Sequence, residues 1–306
     1  MEINREHALP DLSFSPEEQA VFGTAPSGRP AALQVGILIL SEEDIAVSEK
    51  RYQISPIELV QWAEPLFGFG VGRATGFSEK TVASYEEAAG IHLPAALREY
   101  YLTCGKASLN CALHEIFVPD KKAKLFENRL TFSYDHIDED LETFSKPGEE
   151  DYPELAKIRA LPRERWGEVT GNYLLFWCEN QGCWYAGIKA EDLDQPNPPV
   201  YYNDQDDVYS WAPFANSVSS FLLDILLLNL EPKAQPDEIE DPAEIQTVLS
   251  EGGVDFQRLQ KPYPFPGGRF CHTCLDTETN TLYVYGEEAE GRPAYLKIFK
   301  PNKKIR

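Results

Sequence analysis

The sequence has 306 residues, 42% hydrophobic and 12% aromatic, which is enough to build a packed core and too apolar for a wholly disordered chain. Its 28 Lys and Arg stand against 50 Asp and Glu, a formal charge of −22. That excess of acid excludes a general nucleic-acid binder, which needs cations to displace phosphate counterions, and suits a protein that docks on a basic surface.

The first residues, MEINREHALPDLSF, are acidic and lack the apolar run of a secretory signal, so a soluble, cytoplasmic protein is expected. A Pro-, Ser- and Gly-containing stretch to about residue 30 reads as irregular, and LQVGILIL at 33–40 as a buried strand. Ser55 and Pro56 start a helix that runs toward Trp62, with Ser as cap and Pro at the first helical position. The glycines at 68, 70 and 72 break the pattern and mark a boundary. Ser78 then caps a helix with Val82, Tyr85 and Ala89 on one face, and Gly90 ends it. Pro94 opens a second helix with the stripe Leu97, Tyr100, Tyr101 and Cys104, stopped by Gly105; the pair is an αα-hairpin.

A strand is expected at 113–118. The stretch 135–154 holds nine carboxylates against one Lys and reads as a solvated insertion. Aromatic, apolar runs at 173–178 and 183–188, separated by Glu179-Asn180-Gln181-Gly182, predict a β-hairpin. Another strand at 199–202 leads into Asn203-Asp204-Gln205-Asp206-Asp207. Asn216 or Ser217 caps a helix that buries Phe221, Leu222, Ile225, Leu226 and Leu230. Its apolar run, interrupted by Asp224 and Asn229, is too short to span a bilayer, so no membrane partner is expected. After Glu231-Pro232 comes a linker-like stretch rich in Pro and acid. A helix from about Pro242 to Gly252-Gly253 follows, then strands at 269–275, 281–285 and 294–299 in an antiparallel meander. The expected division is 1–72, 73–232 and 233–306, with net charges of −7, −13 and −2.

Three stretches of the middle segment resemble the SUKH superfamily, which includes yeast cell-wall-synthesis regulators. Tyr85 to Tyr101, with Gly90-Ile91-His92-Leu93-Pro94 at its centre, is similar to the family's opening helix, elbow and second helix. Glu179-Asn180-Gln181-Gly182-Cys183-Trp184 resembles its hairpin turn, and Phe214-Ala215-Asn216-Ser217 through Phe221-Leu222 its closing helix. Order and spacing agree over about residues 77–230. The resemblance implies an α+β domain, a mixed or antiparallel sheet flanked by helices, here with an N-terminal extension and a small C-terminal β-meander. Many bacterial members are immunity proteins that neutralise a cognate toxin, so the implied partner is a toxin protein, cationic given the charge, such as a nuclease. A scaffold without a toxin partner is the alternative within the same superfamily. The family carries no fixed catalytic set.

The candidate partner-binding residues are Glu179, Asn180, Gln181, Trp184, Asp204, Asp206 and Asp207. The turn closes a hairpin because Asn and Gly tolerate positive φ, and beside it Trp184 supplies an aromatic anchor with a polar rim. The three aspartates fail the EF-hand pattern, with Tyr209 at its sixth position and Ala215 at its twelfth, and read as a solvated, partner-facing loop. Of the six cysteines, Cys271 and Cys274 form a CxxC with no second pair nearby. On a strand the two would face opposite sides, and a turn rather than a helix follows, so a metal- or thiol-dependent enzyme is only a second alternative. No phosphate-loop, nucleophile-elbow or zinc-protease motif occurs. No catalytic residue, metal or cofactor is expected.

Overall fold

Strand β1 (Lys50–Tyr52) leads into Ser55, whose Oγ accepts from the Glu58 amide (3.2 Å) while the Glu58 carboxylate accepts from the Ser55 amide (2.8 Å). With Pro56 at its first position, this capping box starts helix α1 (Pro56–Leu66). The structure is a computed structural model that describes residues 50–69, 76–119, 141–143, 153–204, 210–259, 271–289 and 292–301. The strand expected at 33–40, most of the acid-rich stretch, and Asp206 and Asp207 lie outside the described residues.

Helices α2 (Glu79–Ala89) and α3 (Ala95–Cys104) form the expected αα-hairpin. Its elbow has a physical cause at each end. Gly90 sits at φ 65°, a left-handed conformation that costs other residues about 1–2 kcal/mol. The Glu86 carboxylate then accepts from the Leu93 amide (2.9 Å) and pairs with Arg98 (3.3 Å), which also holds Glu79. The predicted stripe of Leu97, Tyr100, Tyr101 and Cys104 is buried.

Two five-stranded antiparallel sheets follow. The first runs β2-β3-β4-β5-β6 across the sheet, from Glu115–Ile116, Tyr173–Cys178, Trp184–Lys189, Val200–Asp204 and Ala212–Ala215. The strand expected at 113–118 is cut to two residues, with Phe117 N adding one bond to Phe176 O (2.8 Å). Edge strand β6 went unread because it contains Pro213, which cannot donate to a ladder and is tolerated only at an edge. Between β2 and β3, the short helices α4 (Pro153–Arg159) and α5 (Gly167–Thr170) carry a separate small core of Leu155, Ile158 and Trp166.

Helix α6 (Val218–Ala234) is capped by Ser217, whose Oγ accepts from Ser220 N (3.1 Å), and it continues through Glu231-Pro232. Proline removes one backbone donor there, but only two residues before the helix ends at Ala234. The linker-like stretch is therefore the end of α6 followed by strand β7 (Asp237–Ile239). Asp241 caps helix α7 (Pro242–Glu251), and a short helix α8 (Phe256–Leu259) follows. The meander of β8 (Cys271–Asp276), β9 (Thr281–Gly286) and β10 (Tyr295–Phe299) gains β1 on one edge and β7 on the other, in the order β1-β8-β9-β10-β7. Acidic Asp237 and Glu238 suit β7 to an edge, where charge discourages further pairing.

Both faces of this second sheet are covered. Cys271, Leu275, Leu282, Val284 and Phe299 join the main core with α1, α3, α6 and the first sheet. On the other face, Cys274, Tyr283, Leu296 and Ile298 pack with Ile245 and Leu249 of α7. The alternation of a strand thus places the two CxxC thiols in different cores.

Candidate protein-binding groove

Five residues, 179–183, close the β3–β4 hairpin. Glu179 N donates to Trp184 O and Gly182 N to Glu179 O, each at 2.9 Å, with Gly182 at φ 76°. The Glu179 carboxylate also accepts from the amides of Gln181 (2.8 Å) and Cys183 (3.4 Å), so its charge is held over the turn. Trp184 follows, 45% exposed and stacked on Tyr202 (centroids 5.6 Å apart, 23° between planes). Tyr202 meets Phe214 of β6 edge-on at 5.4 Å.

Glu179, Gln181 and Trp184 form one wall of an open groove of about 500 Å³, whose other walls are His114, Phe214 and the Asp224, Ile225 and Leu228 positions of α6. The lining is largely apolar, with Glu179 and Asp224 as its carboxylates and no Lys or Arg among the described lining residues. The two exposed large hydrophobic residues among those described are Trp184 and Leu113, the neighbour of His114.

His114 is positioned by Asn229 of α6. The Asn229 amide nitrogen donates to Leu109 O (2.8 Å) and His114 O (3.0 Å), and its oxygen accepts from His114 N (2.7 Å). The His114 ring stands edge-on to Trp177 at 5.6 Å, and its Nδ1 accepts from Asn180 N (3.3 Å). Burial holds its pKa below the usual histidine value, against the opposing pull of Glu179, so the ring is neutral at neutral pH.

Of the residues singled out in the sequence, Glu179, Asn180, Gln181 and Trp184 come together at this turn. Asp204 pairs with Trp184 across the β4–β5 ladder, so its backbone lies beside the same site. His114 and Asp224, which line the groove, and Asn229, which holds His114, were not among the residues singled out in the sequence. The signal was there: Asp224 and Asn229 interrupt an otherwise apolar helix, and a polar residue in such a run needs a partner or a surface.

Among the described residues, no His, Cys, Asp and Glu cluster could hold a metal ion. Burial pushes the Cys104 thiol up to about 12 and those of Cys178 and Cys274 up to about 11. Such thiols stay protonated and are poor nucleophiles at neutral pH.

Fold and groove together define an α+β protein with an open groove beside the turn of a β-hairpin. Residues 76–224 match the SMI1 / KNR4 family (SUKH-1), so this segment is a domain of the SUKH superfamily. That superfamily includes immunity proteins and is generally not enzymatic. The matched segment spans the αα-hairpin, the Glu179–Gly182 turn and the start of α6 up to Asp224. No curated protein and no solved structure matches the chain. No helix among the described residues is long and apolar enough to cross a membrane.

Proposed function

We propose that this protein is a cytoplasmic immunity protein that binds and neutralises a cognate, basic toxin domain, without chemistry of its own. The 73–232 segment meets the toxin, and the 1–72 and 233–306 segments extend it. The observation that carries this reading is the exposed Trp184 beside a largely apolar groove that bears two carboxylates, in a SUKH domain whose segment has a net charge of −13. An aromatic anchor ringed by polar groups is the anatomy of an interface hot spot. Complementary charge speeds encounter and selects the partner more reliably than it adds affinity.

Pull-down of the toxin encoded beside the gene, repeated over a salt series, tests the proposal. Binding at low salt that weakens as salt rises is expected, since exposed charges are screened beyond about 8 Å at physiological ionic strength. Absence of binding at low salt would overturn the toxin role. Binding indifferent to salt would overturn the electrostatic part of it.

A further inference from the structure

We infer that the groove receives an arginine-bearing loop of the toxin, its guanidinium lying on the open side of Trp184 beside the Glu179 and Asp224 carboxylates. The inference rests on the proposed toxin-binding role for the source of that arginine, while the groove chemistry stands on its own observations.

Three features select the occupant. The first is charge: the described lining carries two carboxylates and no cation, and neutral His114 adds no repulsion. The second is the shape of Trp184. Tyr202 covers one side of the indole, yet 45% of the residue remains exposed, leaving aromatic surface at the mouth of the groove. A cation over an indole face is attracted by the ring quadrupole, and a planar guanidinium also stacks. The third is the apolar remainder, Phe214, Ile225 and Leu228, which suits the methylene stem of a long side chain and its neighbours in the loop. Lysine would satisfy the charge alone, because its ammonium is a compact, strongly hydrated point charge that cannot stack or bond in a planar fork. A volume of about 500 Å³ admits more than one side chain, hence a loop.

The test uses the full chain labelled with 15N and titrated with N-acetyl-arginine methylamide, reading the five indole N–H signals; the resonance absent from Trp184→Phe identifies Trp184. That signal should shift saturably with the arginine probe, shift several-fold less at equal concentration with the lysine analogue, and stay still with the neutral citrulline analogue. The double variant Glu179→Gln, Asp224→Asn should weaken arginine binding on the order of tenfold, as expected for two partly exposed charge pairs. An unchanged spectrum elsewhere shows that the variant is folded. No shift with arginine, or equal shifts with citrulline or lysine, would overturn the inference. So would a chain that is dimeric without any probe and dissociates on Trp184→Ala, because a second copy would then occupy the groove. Toxin captured in the pull-down by a chain that ignores the arginine probe would sink this inference alone. A positive titration with no toxin binding would sink the proposed function instead.

Discussion

Glu64 of α1 is a carboxylate only 5% exposed, accepting from Leu109 N at 2.7 Å. It ties the first helix to the 3-10 turn Ser108–Cys111, which precedes His114. Burial raises its pKa, and the amides of Leu109 and Ser108 only partly offset that rise. The folded chain therefore holds the Glu64 proton more tightly than the unfolded chain. Its contribution to stability is complete below the ordinary carboxylate pKa and is lost as pH rises through the raised value. Glu64→Gln keeps an acceptor oxygen and removes the titration. Its stability relative to the parent should thus improve steadily between pH 4 and pH 7 in urea unfolding; a difference flat across that range would show that the charge is not penalised. Glu64→Ala instead leaves the Leu109 amide without its acceptor, and should cost about 1–3 kcal/mol at low pH, where the parent carboxyl is neutral, and less as pH rises.

Helix α6 works as the back wall of the groove, and its polar residues divide the labour. Asp224 faces the lining, whereas Asn229 is fully buried and makes three bonds to the 109–114 segment. Asn229→Leu replaces a satisfied hub with an apolar side chain that leaves His114 N and two carbonyls unpaired, and should cost about 2–4 kcal/mol in thermal or urea unfolding. It should also weaken the proposed toxin binding while every lining residue is still present; full-strength binding would show that His114 needs no such clamp. Cysteines report on the neighbouring elements. Cys183 at the exposed hairpin end should be alkylated first by iodoacetamide at pH 8, ahead of Cys111, whose thiol is pushed up by burial and by Glu115. Cys104, Cys271 and Cys274 should wait for unfolding, and mass-spectrometric labelling of Cys274 as fast as Cys183 would contradict its place in the α7 core. The elements with strong local causes were legible in the sequence: Ser55-Pro56, Ser78 with Gly90, and the Glu179–Gly182 turn each state a cap or a reversal in one residue type. Edge strands β6 and β7 were not, since Pro213 and the Asp237-Glu238 pair read locally as breakers and only the ladder beside them supplies the extended state. The groove was half legible for the same reason: the hairpin wall is contiguous in sequence, but His114 and Asp224 reach it only through long-range packing.

At the scale of the whole molecule, the acidic charge and the shared core pull in opposite directions. A chain at −22 repels itself in the compact state, and the burial that offsets this is spread over both sheets rather than confined to the family-matched segment. Residues from β8, β9 and β10 complete the core beneath α1 and α6, and β1, far earlier in the chain, is stitched to β8. Thr273 is the seam: its carbonyl accepts from Gln53 N (2.9 Å) and its Oγ1 from Ile54 N (3.0 Å), while Lys50 pairs with Asp276 at 3.6 Å. Lys297 of β10 reaches back to Glu231 of α6 at 2.7 Å. Ending the chain after Ala234 would expose the main-core partners of Cys271, Leu275, Leu282, Val284 and Phe299, and would leave β1 without a ladder. Each large apolar side chain uncovered costs about 1.5–3 kcal/mol, and a few of them equal the whole stability of an ordinary domain. The intact chain should therefore lose near-ultraviolet circular dichroism from Trp177 and far-ultraviolet signal in one coincident transition, and the truncated chain should show no cooperative transition at all. A truncated chain that melts cooperatively would mean that α1, α3, α6 and the first sheet hold together without the second sheet, and that the 237–299 strands rest on a core already complete.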